Sequence, residues 1–154
     1  MNLTSSAFQD GDVIPAKYSH DAGDVNPPLA WDGVPDGTAS FAIVMEDPDV
    51  PAAAGVPVWI HWVVFNVSPA VREIPESWNV EGTKGAGTRG LLDYYGPRPP
   101  DREHRYFFRL YALDAVLPLK EGATRAELDD AMRGHVLAEA SLMGRFAPST
   151  GNAQ

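Results

Sequence analysis

Three runs of apolar, β-branched and aromatic residues, Ser40–Met45, Val58–Val67 and His104–Leu113, stand apart along the chain, each bordered by residues that break regular structure. This punctuated pattern constrains the fold more than any other feature. Val, Ile, Phe, Trp and Tyr pack well on a pleated surface, and each run has the length of a strand. The first run stops at Glu46-Asp-Pro-Asp-Val-Pro51, and the third comes after Gly96-Pro-Arg-Pro-Pro100. Proline removes backbone donors and forces its neighbours into extended or turn geometry. The 14 Gly and 14 Pro make up about 18% of the 154 residues, against a usual ~12%. Residues 1–40 are interrupted so often, from Gly11 to Gly37, that only short strands fit there.

A helix is expected late in the chain. Thr124-Arg-Ala-Glu127 has the form of a capping box, in which the Thr hydroxyl and Glu carboxylate satisfy first-turn backbone donors. Leu128, Ala131, Met132, His135 and Val136 then recur at helical spacing. The pattern predicts a helix to about Ser141, weakened at Gly134, with a short edge strand from Gly144 and a frayed tail beyond Pro148. Residues 68–100 form a long irregular connection, and its glycines (Gly82, Gly85, Gly87, Gly90) read as a flexible loop. A connection of that length inside a compact domain is usually functional. The expected fold is a mainly β single domain over residues 1–154 with a peripheral helix, without the alternation of a βαβ protein.

Charge excludes some partners. Twelve Lys and Arg against 21 Asp and Glu leave a net charge of −9. Nucleic acid and anionic membranes are bound through clustered cations, so neither is expected as a partner. With no cysteine, disulfides, Cys-based metal sites and a thiol nucleophile are absent. The N-terminal residues lack a basic region leading into an apolar one, so no signal peptide is expected. The longest apolar stretch, Val56–Val67, is interrupted by Pro57, His61 and Asn66 and is too short to span a bilayer. A soluble, cytoplasmic protein without cofactor or metal is the expectation.

Chemistry-bearing residues gather at the strand ends. Period two places Trp59, His61, Val63, Phe65 and Val67 on one face of the second run. His61 is then either a buried neutral histidine with one hydrogen bond or a ring oriented by Asp47 or Asp49 at the end of the first run. Those aspartates equally suit Asx turns beside proline. In the third run His104, Tyr106 and Phe108 share a face opposite Arg105, Phe107 and Arg109. Pro99 and Pro100 supply rigid backbone to a pocket mouth. No Walker loop, G-x-G-x-x-G, G-x-S-x-G or H-E-x-x-H is present, and His20, His61, His104 and His135 lack metal-ligand spacing.

Asp47-Pro-Asp-Val-Pro51, Trp59-Ile-His61-Trp, Gly96-Pro-Arg-Pro-Pro100 and His104-Arg-Tyr106, in that order, resemble the phosphatidylethanolamine-binding protein family, and more closely its bacterial and archaeal Raf-kinase-inhibitor-like branch. Leu3-Thr-Ser-Ser-Ala-Phe8, Asn26-Pro-Pro-Leu-Ala-Trp31, Leu110-Tyr-Ala-Leu-Asp114 and Gly134-His-Val-Leu-Ala-Glu-Ala140 extend the resemblance over nearly the whole chain. It implies a β-sandwich with a large central antiparallel sheet, a smaller second sheet and a C-terminal helix. It also implies a pocket for phosphate-like anions and phospholipid head groups, mapping to Asp47, Asp49, Pro51, Trp59, His61, Pro99, Pro100, His104 and Tyr106. His135 matches a family position and is assigned to helix packing. Arg98 and Asp101-Arg-Glu103 depart from the branch and add charge at the mouth.

The leading expectation is a non-catalytic anion-binding protein, a regulator of a kinase or protease, existing as monomer or homodimer. The alternatives are a small hydrolase with His61 as general base oriented by Asp47 and water as nucleophile, and a protein-interaction module with a vestigial pocket.

Overall fold

The computed structural model describes residues 1–148. The frayed tail expected beyond Pro148 lies outside them. In chain order the strands are β1 (Asn2–Thr4), β2 (Leu29–Asp32), β3 (Ser40–Asp47), β4 (Trp59–Val67), β5 (Glu73–Ile74), β6 (Thr83–Lys84) and β7 (His104–Leu113). The helix α1 (Arg125–Met132) and the strand β8 (Val136–Phe146) come after them. The strands form two antiparallel sheets, one of five strands in the order β6-β4-β3-β7-β8 and one of three in the order β1-β2-β5. The mainly β sandwich with a large and a small sheet is therefore present. Among the described residues no helix is long and apolar enough to cross a membrane.

The large sheet is buried on both faces. On one, Phe41, Ile43, Met45, Trp62, Val64, Tyr106, Phe108 and Leu110 pack with Leu3, Leu29, Trp31 and Ile74 of the small sheet. On the other, Ala42, Val44, Val63, Phe65 and Leu113 pack with Leu128 and Met132 of α1 and with Leu117. A strand covered on both sides reads as a continuous apolar run instead of an alternation, which explains Ser40–Met45. The long β7 spans the expected residues, with His104, Tyr106 and Phe108 buried and Arg105 exposed, as alternation requires.

Strand β4 departs from strict alternation. Its register against β3 shifts twice: Met45 faces Trp62 while Glu46 faces Ile60, and Ile43 faces Val64 while Phe41 faces Val67. Each shift inserts an extra residue, a β-bulge that moves the side chains beyond it to the other face. Val63 and Phe65 consequently pack under α1, whereas Trp62 and Val67 join the opposite cluster. Val63 and Phe65 thus do not share the face of His61, whose ring meets Tyr106 edge-on at 5.3 Å. Asn66, at the second bulge, takes a left-handed φ of 54° and exchanges two hydrogen bonds with the backbone of Leu117.

The helix is shorter than its pattern predicts. The capping box forms, with Thr124 Oγ1 accepting from the Glu127 amide at 3.2 Å and Glu127 Oε1 accepting from the Thr124 amide at 2.9 Å. Gly134 then adopts φ +82°, a conformation open to glycine, and reverses the chain two residues after Met132. The reversed chain enters β8, an edge strand aligned with β7 from Val136 to Phe146, so the expected helix to Ser141 and short strand from Gly144 are both replaced. His135 does not pack in a helix. It lies exposed in the turn, its Nδ1 2.7 Å from Asp114 Oδ1.

The glycine-rich stretch is pinned more closely than a flexible loop would be. Strand β6 pairs with β4, the Ala86 amide bonds the Ala123 carbonyl at 2.8 Å, and Thr88 Oγ1 accepts from the Ile60 amide at 2.6 Å.

Candidate functional site

Because β3 is antiparallel to both β4 and β7, its last residue lies beside their first ones. Asp47, Trp59, His61, His104 and Tyr106 thus come together from three strand ends. The loops after β3 and before β7 close the space with Val50, Pro51, Ala53, Ala54, Arg89, Tyr95 and the run from Pro97 to Pro100. The result is a cleft of about 590 Å³. Eight of the nine sequence candidates line it. Asp49 does not: its carboxylate takes two hydrogen bonds from the Arg105 guanidinium, at 2.8 and 2.9 Å, and one from the Arg105 amide at 2.9 Å. The Arg105 hydrogen bond leads in pulling the Asp49 carboxyl down to about 2. Its place is to tie the β3 loop to β7.

The floor is buried and hydrogen-bonded. Asp47 Oδ1 accepts from the Asp49 amide at 2.7 Å, an Asx turn, while Oδ2 lies 2.6 Å from His104 Nδ1. Both roles foreseen for an aspartate here are filled at once, but the imidazole it meets is His104 and not His61. The far side of His104, Nε2, lies 2.7 Å from Asp101 Oδ1. Two such bonds need two protons among the three groups. Burial pushes the Asp47 carboxyl above its usual range, against the pull of its hydrogen bonds, and the His104 contact holds Asp101 below its own.

His61 is oriented by a backbone carbonyl. Its Nδ1 donates to Tyr95 O at 2.6 Å, which places the proton of the neutral ring on Nδ1. Burial lowers the ring's pKa to about 4, so at neutral pH Nε2 carries a lone pair and has no partner among the described residues. The Tyr106 hydroxyl beside it is pushed well above the usual phenol range by burial and by Asp47.

Behind Tyr95 lies a second layer that sequence reasoning missed. The Tyr95 ring stacks on His20 at 4.1 Å, and His20 Nδ1 bonds Asp24 Oδ1 at 2.9 Å. The same Asp24 oxygen accepts from the Gly96 amide at 2.9 Å. A Cβ on Gly96 would stand 2.5 Å from the backbone of Tyr18, Ser19 and His20, so only glycine lets this segment approach. Asp24 itself sits at φ 61°, a left-handed conformation that aspartate tolerates better than most residues. No local pattern marks Asp24 or Tyr95, since their pairing joins segments about 70 residues apart.

At the rim, the Arg89 guanidinium lies 5.3 Å over the Trp59 ring, and Arg98 pairs with Asp21 at 3.4 Å. Phe146 and Pro148 close the side under β8. Among the described residues no serine, threonine or cysteine lines the cleft. Nor is any group of three or more described His, Cys, Asp or Glu arranged to hold a metal ion.

The architecture and the chain's sequence have close counterparts. The UPF0098 protein of Chlamydia muridarum is 46% identical over 147 residues, spanning 95% of this chain and 98% of the relative. The UPF0098 protein of Methanothermobacter thermautotrophicus is 45% identical over 152 residues, with coverage of 95% and 98%. A crystal structure from Chlamydia trachomatis, described as a putative phosphatidylethanolamine-binding protein homolog, superposes with a TM-score of 0.91 at 44% identity, covering 94% of this chain and 95% of the other. That of E. coli YbcL, described as a member of the mammalian PEBP family, gives 0.85 at 26% identity, with coverage of 94% and 96%. The family model for phosphatidylethanolamine-binding protein matches residues 4–147, and with these relatives it shows that the chain belongs to the phosphatidylethanolamine-binding protein family.

Proposed function

We propose that the protein is a non-catalytic binder of small phosphorylated head groups, held in the cleft at the ends of β3, β4 and β7. The observation that carries this is the cleft's composition: a buried polar floor of Asp47, His61, His104 and Tyr106, apolar walls rich in proline, and arginines at the mouth. A few convergent polar groups in a mostly apolar concavity are the usual makings of a ligand site. Mixed charge suits a ligand that carries both signs, or an anion joined to a hydrogen-bond donor, better than bare phosphate. The binding needs no net basic protein, because the site's donors are local.

The hydrolase alternative has less support. His61 is neutral and its Nε2 is open, as a general base requires, but a pKa near 4 makes it a weak one. Asp47 does not orient it, and any nucleophile would have to be water. Regulation of a kinase or protease, raised by the resemblance, is a further step that binding in the cleft does not require.

Calorimetric titration with phosphorylethanolamine checks the proposal. Wild type is expected to bind, His61→Ala to lose measurable binding, and Tyr106→Phe, which removes one hydroxyl and keeps the ring, to weaken it. Unchanged affinity in both variants, with thermal melts showing them folded, would remove the cleft from consideration as the ligand site.

A further inference from the structure

Two groups on the floor of the cleft are open to a ligand, and they differ in kind. Asp47 is not one of them: its Oδ1 holds the Asp49 amide and its Oδ2 meets His104. His104 in turn spends both ring nitrogens, one on Asp47 and one on Asp101. His61 has a nitrogen to spare. A backbone carbonyl only accepts, so the 2.6 Å contact with Tyr95 O fixes the ring proton on Nδ1 and leaves Nε2 as a lone pair. Beside it stands Tyr106, its ring edge-on to the imidazole at 5.3 Å. Burial and Asp47 hold that phenol in its protonated form, so it supplies an O–H. The floor therefore pairs one acceptor with one donor, both facing the cleft.

A fully ionised phosphate ester suits only half of this pair. Its terminal oxygens all accept, so one of them can take the Tyr106 O–H, but none bonds His61 Nε2 unless a proton lies between them. A singly protonated phosphate suits both, its P–O⁻ accepting from Tyr106 and its P–OH donating to His61. From this pairing we infer that the cleft selects phosphate monoesters in their monoanionic form and takes up a proton when it binds them at neutral pH, that proton lying between the ligand and His61 Nε2. The neighbours of the ring do not provide it. Asp47 from β3 and His104 from β7 have their protons engaged with each other and with Asp101, and His20, behind Tyr95, is paired with Asp24. At the mouth Asp21 is paired with Arg98, Arg89 lies on Trp59, and an arginine releases no proton at neutral pH. The ring itself is held neutral by burial, with a pKa of about 4. The proton therefore comes with the ligand or from solvent.

This selectivity rests on the cleft being the ligand site, and the two are tested apart. Phosphorylethanolamine and ethanolamine sulfate, of the same shape but with no proton to share, are titrated calorimetrically in buffers of different ionisation enthalpy. A pH of about 7.5 serves, because the second phosphate proton is lost at about pH 6 and the free ester is then mostly without it. Wild type is expected to take up about one proton per phosphorylethanolamine there and almost none at about pH 5, where the ester brings its own. Its affinity should fall by up to about tenfold per pH unit above about pH 6.5. Ethanolamine sulfate is expected to bind at least about tenfold more weakly at the higher pH. His61→Gln, whose amide donates to a dianion without a proton from solvent, should lose both the uptake and the preference for phosphate. In wild type with isotopically labelled histidine, the His61 Nε2 resonance should leave the lone-pair region on binding, which reads the proton even where the variant binds too weakly to titrate. Phosphorylethanolamine binding at the higher pH without proton uptake, or with an unmoved Nε2 resonance, overturns the inference and leaves the cleft as the ligand site. Uptake that persists in His61→Gln puts the proton on another group and overturns it as well. If wild type binds neither compound, the assignment of the cleft itself fails.

Discussion

At the scale of single residues, the most specific consequence concerns His61. Its folded pKa is about 4 against 6.5 for the free side chain, chiefly through burial. Between those values the unfolded chain binds more protons than the folded one, so stability falls as pH drops through this window and is fully present above 6.5. Integrated over the window the loss approaches ~3 kcal/mol. Urea unfolding at about pH 7 and about pH 5 should show a large part of it, and His61→Gln should flatten the slope. Equal pH dependence in wild type and variant would mean that the ring is not held neutral in the folded state. Much of this residue is legible in the sequence: a histidine among apolar neighbours on a central strand is expected to be buried with one hydrogen bond. Its partner is not. A carbonyl 34 positions away leaves no mark on a local pattern, and no glycine or proline within β4 marks the bulge that sets the ring's direction. For the same reason the pattern places Asp47 beside an imidazole but points to His61, where the structure has His104.

Among the elements, β8 and α1 show where pattern and structure part. The capping box specifies the start of α1 because it is a local device, satisfied within four residues. The end is not legible, because Val136-Leu-Ala-Glu-Ala-Ser-Leu-Met is rich in good helix formers, while pairing along β7 overrides that propensity. An alternation is present beneath it: Ala138, Ala140, Leu142 and Gly144 turn inward, and Leu137, Glu139 and Ser141 turn outward. Small inward residues let the N-terminal segment pack across the strand. Gly144 is the tightest case, since a Cβ there would overlap the Ile14 side chain and stand 2.9 Å from Phe8. Gly144→Ala is expected to cost about 1–3 kcal/mol by overpacking, read as a lowered urea midpoint with an unchanged slope. With open space above the strand the same exchange would stabilise the chain by roughly 0.4–1 kcal/mol, so the sign of the effect reports whether Phe8 and Ile14 pack over β8 at this position.

For the whole molecule, the decisive quantity is the contrast between a surface of net charge −9 and a cleft with local cations at its mouth. A phosphorylated head group can reach the cleft as a small molecule, because the field of the distant acids is screened within about 8–10 Å at physiological salt. A head group still in a bilayer is different: to be taken up, it requires the rim to lie flat against the membrane, bringing Asp21 and a chain of net charge −9 up to the lipid surface. Anionic lipid surfaces attract basic clusters by about 1 kcal/mol per Lys or Arg, and an acidic surface meets the opposite force. Arg89 and Arg98 alone do not offset it. The protein is therefore expected to stay in the supernatant when sedimented with vesicles of phosphatidylserine and phosphatidylethanolamine at ~0.15 M salt, under conditions where free phosphorylethanolamine binds. Co-sedimentation that weakens as salt rises would show that the rim docks on membranes despite the overall charge, and would make the bilayer, and not the free head group, the partner of the cleft.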